Sequence, residues 1–187
     1  CCQHNWGHAW PYYAQHLWFA TPDNGLAAVF YSACRVTAKV SGGAEVTVVQ
    51  NTHYPFSEDV EFVVRTEKAV DFPLYLRVPG WCRGMTVAVN GRTVDAAAPP
   101  RTFVRVERPW ADGDRIEIAM PVETSLTRWP RNGSVTVDRG PLSYSVKIDG
   151  KKVIQNGKLG LEFRDGTVLG AGVEYLAADR REVDETW

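Results

Sequence analysis

Long apolar runs are missing from this 187-residue chain. Its most apolar stretch, Gly25-Leu-Ala-Ala-Val-Phe-Tyr31, is far shorter than the roughly 18–20 residues that carry a helix across a bilayer, so no membrane span is expected. Clustered basic charge is missing too. Lys and Arg number 21 against 22 Asp and Glu, a formal charge of −1, and no run of cations offers the electrostatic footprint of a nucleic-acid binder. The chain holds only 4 cysteines, at positions 1, 2, 34 and 82. Two are adjacent, and the set is too sparse for a disulfide framework in a domain of this size. No G-x-S-x-G elbow, P-loop or G-x-G-x-x-G fingerprint is present. None of these absences fixes a compartment.

The first residues carry neither a basic segment nor an apolar one, so no targeting signal is read there and further chain upstream of Cys1 is expected. A lipoprotein anchor would place a polar linker after its cysteine. Here Trp6, Trp10, Tyr12, Tyr13, Trp18 and Phe19 follow instead.

What is present divides into two patterns. Trp10, Tyr13, Ala14, Leu17 and Trp18 fall on the i, i+3, i+4, i+7, i+8 spacing of a helix face. Pro11 stands where a helix can begin, and Thr21-Pro22-Asp23-Asn24-Gly25 supplies the turn that ends it. So aromatic a helix is hard to solvate alone, and packing against a larger helical body is expected.

After Gly25 the period becomes two. Segments such as Val36–Val40, Glu45–Val49, Val60–Val64, Phe72–Val78, Met85–Val89, Phe103–Val106, Arg115–Ile118, Ser134–Val137 and Leu142–Ile148 alternate or run β-branched. Turn residues separate them at Ser41-Gly42-Gly43, Asn90-Gly91, Asp112-Gly113, Asp149-Gly150 and Asp165-Gly166. The predicted class is mainly β, an antiparallel sandwich or jelly roll preceded by one short aromatic-rich helix. Residues 1–24 form the helical segment, 25–150 the sandwich, and 151–187 additional edge strands or the start of a further β-layer with a polar tail.

The densest reactive side chains are Cys1, Cys2, His4, His8 and His16. Two thiols and two imidazoles one helical turn apart are types that suit zinc, although Cys-Cys-x-His-x3-His is not a zinc-finger spacing. The competing reading makes them packing residues among the aromatic rings. Cys34 and Cys82 read as buried free thiols, and His53 as part of a surface turn. Trp81, Trp110 and Trp129, taken as exposed beside prolines, read either as sugar-stacking platforms or as plugs at the ends of a sandwich.

Three stretches carry a family resemblance. Cys1-Cys2-Gln3-His4-Asn5 resembles the Cys-Cys-x-x-Asn motif near the end of the helical barrel in family 127 glycoside hydrolases, the β-L-arabinofuranosidase-like enzymes. Phe72-Pro-Leu-Tyr-Leu-Arg-Val-Pro-Gly-Trp-Cys82, followed by Val89-Asn-Gly91, is similar to that family's Arg-Ile/Val-Pro-Gly-Trp strand and turn, and Asp138-Arg-Gly-Pro-Leu142 to its Arg-Gly-Pro-Leu segment.

The resemblance implies a retaining glycosidase in which a zinc-held cysteine takes the place of the usual carboxylate nucleophile. By position it makes Cys1 the nucleophile and a zinc ligand, Cys2 a second ligand, and Asn5 a positioning residue. It also implies that the other two ligands, a glutamate and a cysteine, and the acid/base glutamate lie upstream. The partners it implies are an upstream helical barrel domain, of which the first helix is a remnant, and a glycan substrate. A non-catalytic β-sandwich that binds carbohydrate or packs on a partner domain is the alternative. A structural zinc site of Cys1, Cys2, His4 and His8 is a third.

Overall fold

In the computed structural model, residues 2–96 and 98–145 are described in full, together with the backbone of strands 150–155, 158–163, 168–174 and 181–182. The chain separates into two units, Cys1–Tyr144 and Ser145–Trp187. The first opens with helix α1 (Cys2–Gln15), continues through β1 (Trp18–Ala20), β2 (Leu26–Ala28), β3 (Cys34–Val40), β4 (Ala44–Thr52), β5 (Asp59–Thr66), β6 (Val70–Arg77), β7 (Thr86–Val89), β8 (Arg92–Thr93), β9 (Phe103–Trp110) and β10 (Arg115–Ala119), and ends in β11 (Thr124–Arg128), β12 (Val135–Arg139) and β13 (Leu142–Tyr144). The second holds β14 (Gly150–Gln155), β15 (Lys158–Phe163), β16 (Val168–Glu174) and β17 (Arg181–Glu182), in the order β16-β15-β14-β17.

Two sheets make the sandwich, one ordered β1-β2-β6-β9 and the other β3-β4-β5-β10-β7-β8. Alternation puts one side of each strand inward: Ile116 and Ile118 of β10 are buried while Arg115 and Glu117 are exposed. Phe72, Leu74, Leu76, Val104, Val106 and Trp110 of the smaller sheet share one core with Val46, Val48, Val60, Phe62, Val64, Val87 and Val89 of the larger. Trp18 meets Phe62 edge to face at 5.8 Å, joining the two layers. Among the described residues the pairings are antiparallel except one: β2 runs parallel to β6, Leu26 opposite Leu74. β11, β12 and β13 form a separate antiparallel sheet.

Three sequence expectations change. The helix starts at Cys2 and contains Pro11, instead of starting near it. Pro11 lacks the N–H that would bond the Gly7 carbonyl, a loss water can make good because the helix is exposed. The helical spacing also stops short of Trp18: the Leu17 carbonyl accepts hydrogen bonds from the Val29 and Phe30 amides, and Trp18–Ala20 becomes a strand against Leu26–Ala28. Trp110, expected at the surface, is fully buried and donates Nε1–H to the Phe72 carbonyl at 2.9 Å. The turns at Ser41-Gly42-Gly43, Asn90-Gly91 and Asp112-Gly113 carry the positive φ angles their residue types favour, among them +51° at Asn90 and +74° at Gly91. Asp149-Gly150 and Asp165-Gly166 lie outside the fully described residues.

Asp114 ties the β9–β10 turn to the end of β7. Its carboxylate accepts from the Ala111 amide at 2.9 Å and from Asn90 Nδ2 at 2.8 Å, with Arg108 at 3.8 Å. Burial pushes this carboxyl up, but those two donors and the guanidinium outweigh it and hold it below the usual range. A depressed folded pKa contributes stability that is fully present above the unfolded value of about 3.9, and that is lost as pH falls through the folded value. Asp114→Ala should therefore cost about 1–3 kcal/mol at pH 7, and less at pH 3. Urea melts at both pH values check this, and an equal cost at the two would contradict it.

Candidate functional site

Helix α1 positions the Cys-Cys-x-x-Asn segment. Cys2 and Asn5 occupy its first turns and are exposed, and His4 and His8 follow with ring centroids 6.4 Å apart, edge to face. Cys1 lies outside the described residues. No residue of α1 is buried. Its anchor is at the other end, where half-buried Tyr13 packs on Phe30 at 5.5 Å and Leu17 and Trp18 enter the core. With a rise of about 1.5 Å per residue, Cys2 stands about 16 Å along the helix from that anchor.

Trp6, Trp10 and Tyr13 form an edge-to-face ladder with spacings of 5.4 and 6.0 Å. Trp6 is 68% exposed and Trp10 54%. This much aromatic surface on one exposed helix is the kind of patch that isolated domains rarely leave open.

The other two motif stretches meet at one end of the sandwich. A Cβ on Gly140 would lie 2.9 Å from Val122 Cγ1, too close to fit unmoved, and 3.5 Å from Trp81 Cε3, an ordinary contact, so the Arg-Gly-Pro turn lies beside the Pro-Gly-Trp-Cys turn with a glycine where Val122 leaves no room and φ is +58°. Arg139 reaches Glu58 at 2.5 Å from the same side. Arg77, just before Val78-Pro-Gly-Trp81, lies over the Phe30 ring at 5.6 Å, and its carbonyl accepts from the Tyr31 hydroxyl at 2.5 Å. Because Phe30 also packs on Tyr13, a line of contact joins α1 to the strand that leads into Pro-Gly-Trp-Cys82. Cys82 is buried and Cys34 half-buried, both free, and burial raises both thiols. These two are packing residues. His53 is exposed in its loop.

Among the described residues no three His, Cys, Asp or Glu side chains come together as a metal set. Two adjacent thiols have the right donor chemistry for zinc, but they fill two of its four tetrahedral positions. The chain's own residues therefore fit half of such a site, and His4 and His8 do not complete it with Cys2 as placed. Sequence reasoning missed the contact between Trp81 and Gly140, because residues nearly sixty positions apart carry no shared periodicity.

No curated protein matches the chain. Among solved structures, a GH127 β-L-arabinofuranosidase from Geobacillus stearothermophilus T6 aligns with a TM-score of 0.65 at 25% identity, covering 78% of this chain and 25% of that one. A structure described as a glycoside hydrolase aligns at 0.60 and 23% identity, over 86% of this chain and 32% of its own. A GH127 β-arabinofuranosidase aligns at 0.60 and 18%, over 80% and 31%. The last two, at lower identity, bear on the fold alone. The chain spans between a quarter and a third of the length of these structures. The family model described as the middle domain of GH127 β-L-arabinofuranosidases matches residues 25–122, just over half of the 187 residues, and the chain therefore belongs to the GH127 family.

Proposed function

We propose that this chain is the β-sandwich part of a retaining zinc-cysteine glycoside hydrolase acting on β-L-arabinofuranosides or related plant-glycan sugars, with α1 completing a helical barrel that precedes it in the parent protein. The observation that carries the reading is the uncovered aromatic flank of α1, the helix that carries Cys2, in a chain whose sandwich belongs to GH127. A helix anchored only at its last turn and carrying Trp6 and Trp10 into solvent is suited to insertion between other helices.

In this reading Cys1 and Cys2 hold zinc, and Asn5, one turn beyond Cys2, orients the pair. Bound zinc would favour thiolate over thiol and so remove the need for a general base at the nucleophile. The Cys1 sulfur attacks the anomeric carbon and displaces the leaving oxygen, which takes its proton from an acid/base carboxyl outside this chain. Water then releases the sugar.

Incubated with an aryl β-L-arabinofuranoside and zinc, the 187-residue chain alone should show no turnover above background, because it lacks a proton donor and two metal ligands together. The full-length parent should turn the same substrate over. Activity of the chain alone that disappears in Cys1→Ser would show that its own residues supply the proton donor and the remaining ligands, against this reading. An inactive parent would remove the hydrolase reading.

A further inference from the structure

The outward face of the six-stranded sheet carries a feature the proposed chemistry does not use. The register aligns Arg35, Val49, Val63 and Arg115 in one cross-strand row over β3, β4, β5 and β10. The next row is Thr37, Thr47 and Arg65, and the row on the other side includes Asn51 and Glu61. Val63 shares this outer side with Glu61 and Arg65, opposite the core residues Phe62 and Val64, yet it is only 6% exposed. Side chains therefore roof it, as long arginine stems do when they lie along an apolar floor. The result is a shallow trough of about 620 Å³ with polar walls, in which half-buried Val49 is the accessible apolar part.

The walls are unevenly charged: three guanidiniums face one carboxylate among the ionisable lining groups, in a chain whose formal charge is −1. Arg115 is taken by Glu61 at 2.5 Å. Arg65 is held at 3.6 Å by Asp112, a residue outside the trough. The Arg35 guanidinium, on an exposed residue, makes no side-chain hydrogen bond or ion pair with any described residue. An open guanidinium fork and a second loosely held one match a carboxylate, which such forks grip by two parallel hydrogen bonds. Half-buried Val49 matches the C–H face of a sugar ring. Thr37 and Thr47, whose hydroxyls bond each other at 2.8 Å, and Asn51, whose Nδ2 donates to Glu61 at 3.0 Å, keep acceptor lone pairs for its hydroxyls.

We infer that this trough binds a uronate-bearing oligosaccharide, holding an acidic stretch of glycan on the sandwich apart from the cysteine pair. The saccharide part of the inference rests on the glycoside hydrolase reading above, and the carboxylate part on the trough itself. Because the arginines are exposed, binding weakens as salt rises.

Titration calorimetry of the 187-residue chain with trigalacturonate tests it, with the fully methyl-esterified trisaccharide and citrate as companions. Trigalacturonate should bind with Kd on the order of 10⁻⁴ M, and the ester and citrate at least about tenfold more weakly. Arg35→Ala should weaken binding at least about tenfold with an unchanged melting temperature. Glu61→Gln, which frees Arg115, should tighten it. Equal binding of the ester or of citrate, or no effect of Arg35→Ala, would overturn the proposal. Arabinofuranoside turnover by the parent is measured separately. Turnover without trigalacturonate binding sinks the trough and leaves the hydrolase reading, whereas binding with an inert parent does the reverse.

Discussion

In the full-length parent, Cys1→Ala should lower glycosyl transfer by on the order of 10⁵-fold or more, the scale seen when a covalent nucleophile is removed from an enzyme. The neighbouring substitution should fail differently. A thiol with an ordinary pKa of about 8.5 is only a few per cent ionised at neutral pH, so a nucleophilic cysteine depends on whatever holds it as thiolate. If Cys2 is chiefly a ligand, Cys2→Ala should first weaken zinc binding, by at least about 10- to 100-fold, and lose activity as a consequence. Excess zinc should then restore part of the Cys2→Ala activity and none of the Cys1→Ala activity. Metal content by atomic absorption together with kcat at graded zinc separates the two. Equal behaviour of the variants would contradict the division of roles.

The second large effect concerns Gly25. A Cβ at this position would overlap the carbonyl oxygen and ring of Pro73, and its third neighbour is the Thr21 hydroxyl, which accepts the Gly25 amide at 3.0 Å. The obstruction is backbone at the parallel seam between β2 and β6, where Leu26, Ala28, Leu74 and Leu76 are all buried. Neither strand can retreat without opening the core. Gly25→Ala should therefore cost about 3 kcal/mol or more, lowering Tm by roughly 6–12 °C at about 2–4 °C per kcal/mol for a chain of this size. Gly7→Ala is the matched control: nothing lies within 4 Å of its added methyl, the helix is exposed, and alanine is the better helix former by up to about 1 kcal/mol. Calorimetric melts should show a large fall for Gly25→Ala and none for Gly7→Ala. An unchanged melt for Gly25→Ala would mean that the β2–β6 seam is looser than described.

The strands that could be read from sequence are those with one wet and one dry face. In β4, Val46, Val48 and Gln50 are buried while Glu45 and Asn51 are exposed, and the register follows from that contrast. β11 escaped notice because all five of its residues are exposed, so its sequence, Thr-Ser-Leu-Thr-Arg, carries no contrast to read. Trp18 misled for the opposite reason: its spacing from Trp10 and Ala14 fits a helix face, yet its ring belongs to the sandwich core and draws the backbone into β1. Local period gives no warning when a long-range contact such as Trp18 on Phe62 decides the outcome.

The candidate site was legible only as a motif. Cys1, Cys2 and Asn5 are adjacent in sequence and so could be named, but half a metal site has no periodicity that points to the missing half. The same holds for the seat of Gly140 against Trp81, which joins two recognised motifs through a contact that neither predicts alone. The trough on the outer sheet face lay hidden for a related reason. Arg35, Arg65 and Arg115 belong to three strands, and only the register brings them to one face.

Cys1 is the proposed nucleophile of a GH127 glycoside hydrolase whose sandwich this chain provides. The most direct measurement is to inactivate the full-length parent with an electrophilic arabinofuranose analogue and locate the adduct by peptide mass spectrometry. A single sugar-derived label is expected on the Cys1 sulfur, absent in Cys1→Ala. A label on Cys2, or on a carboxylate elsewhere in the protein, would contradict it.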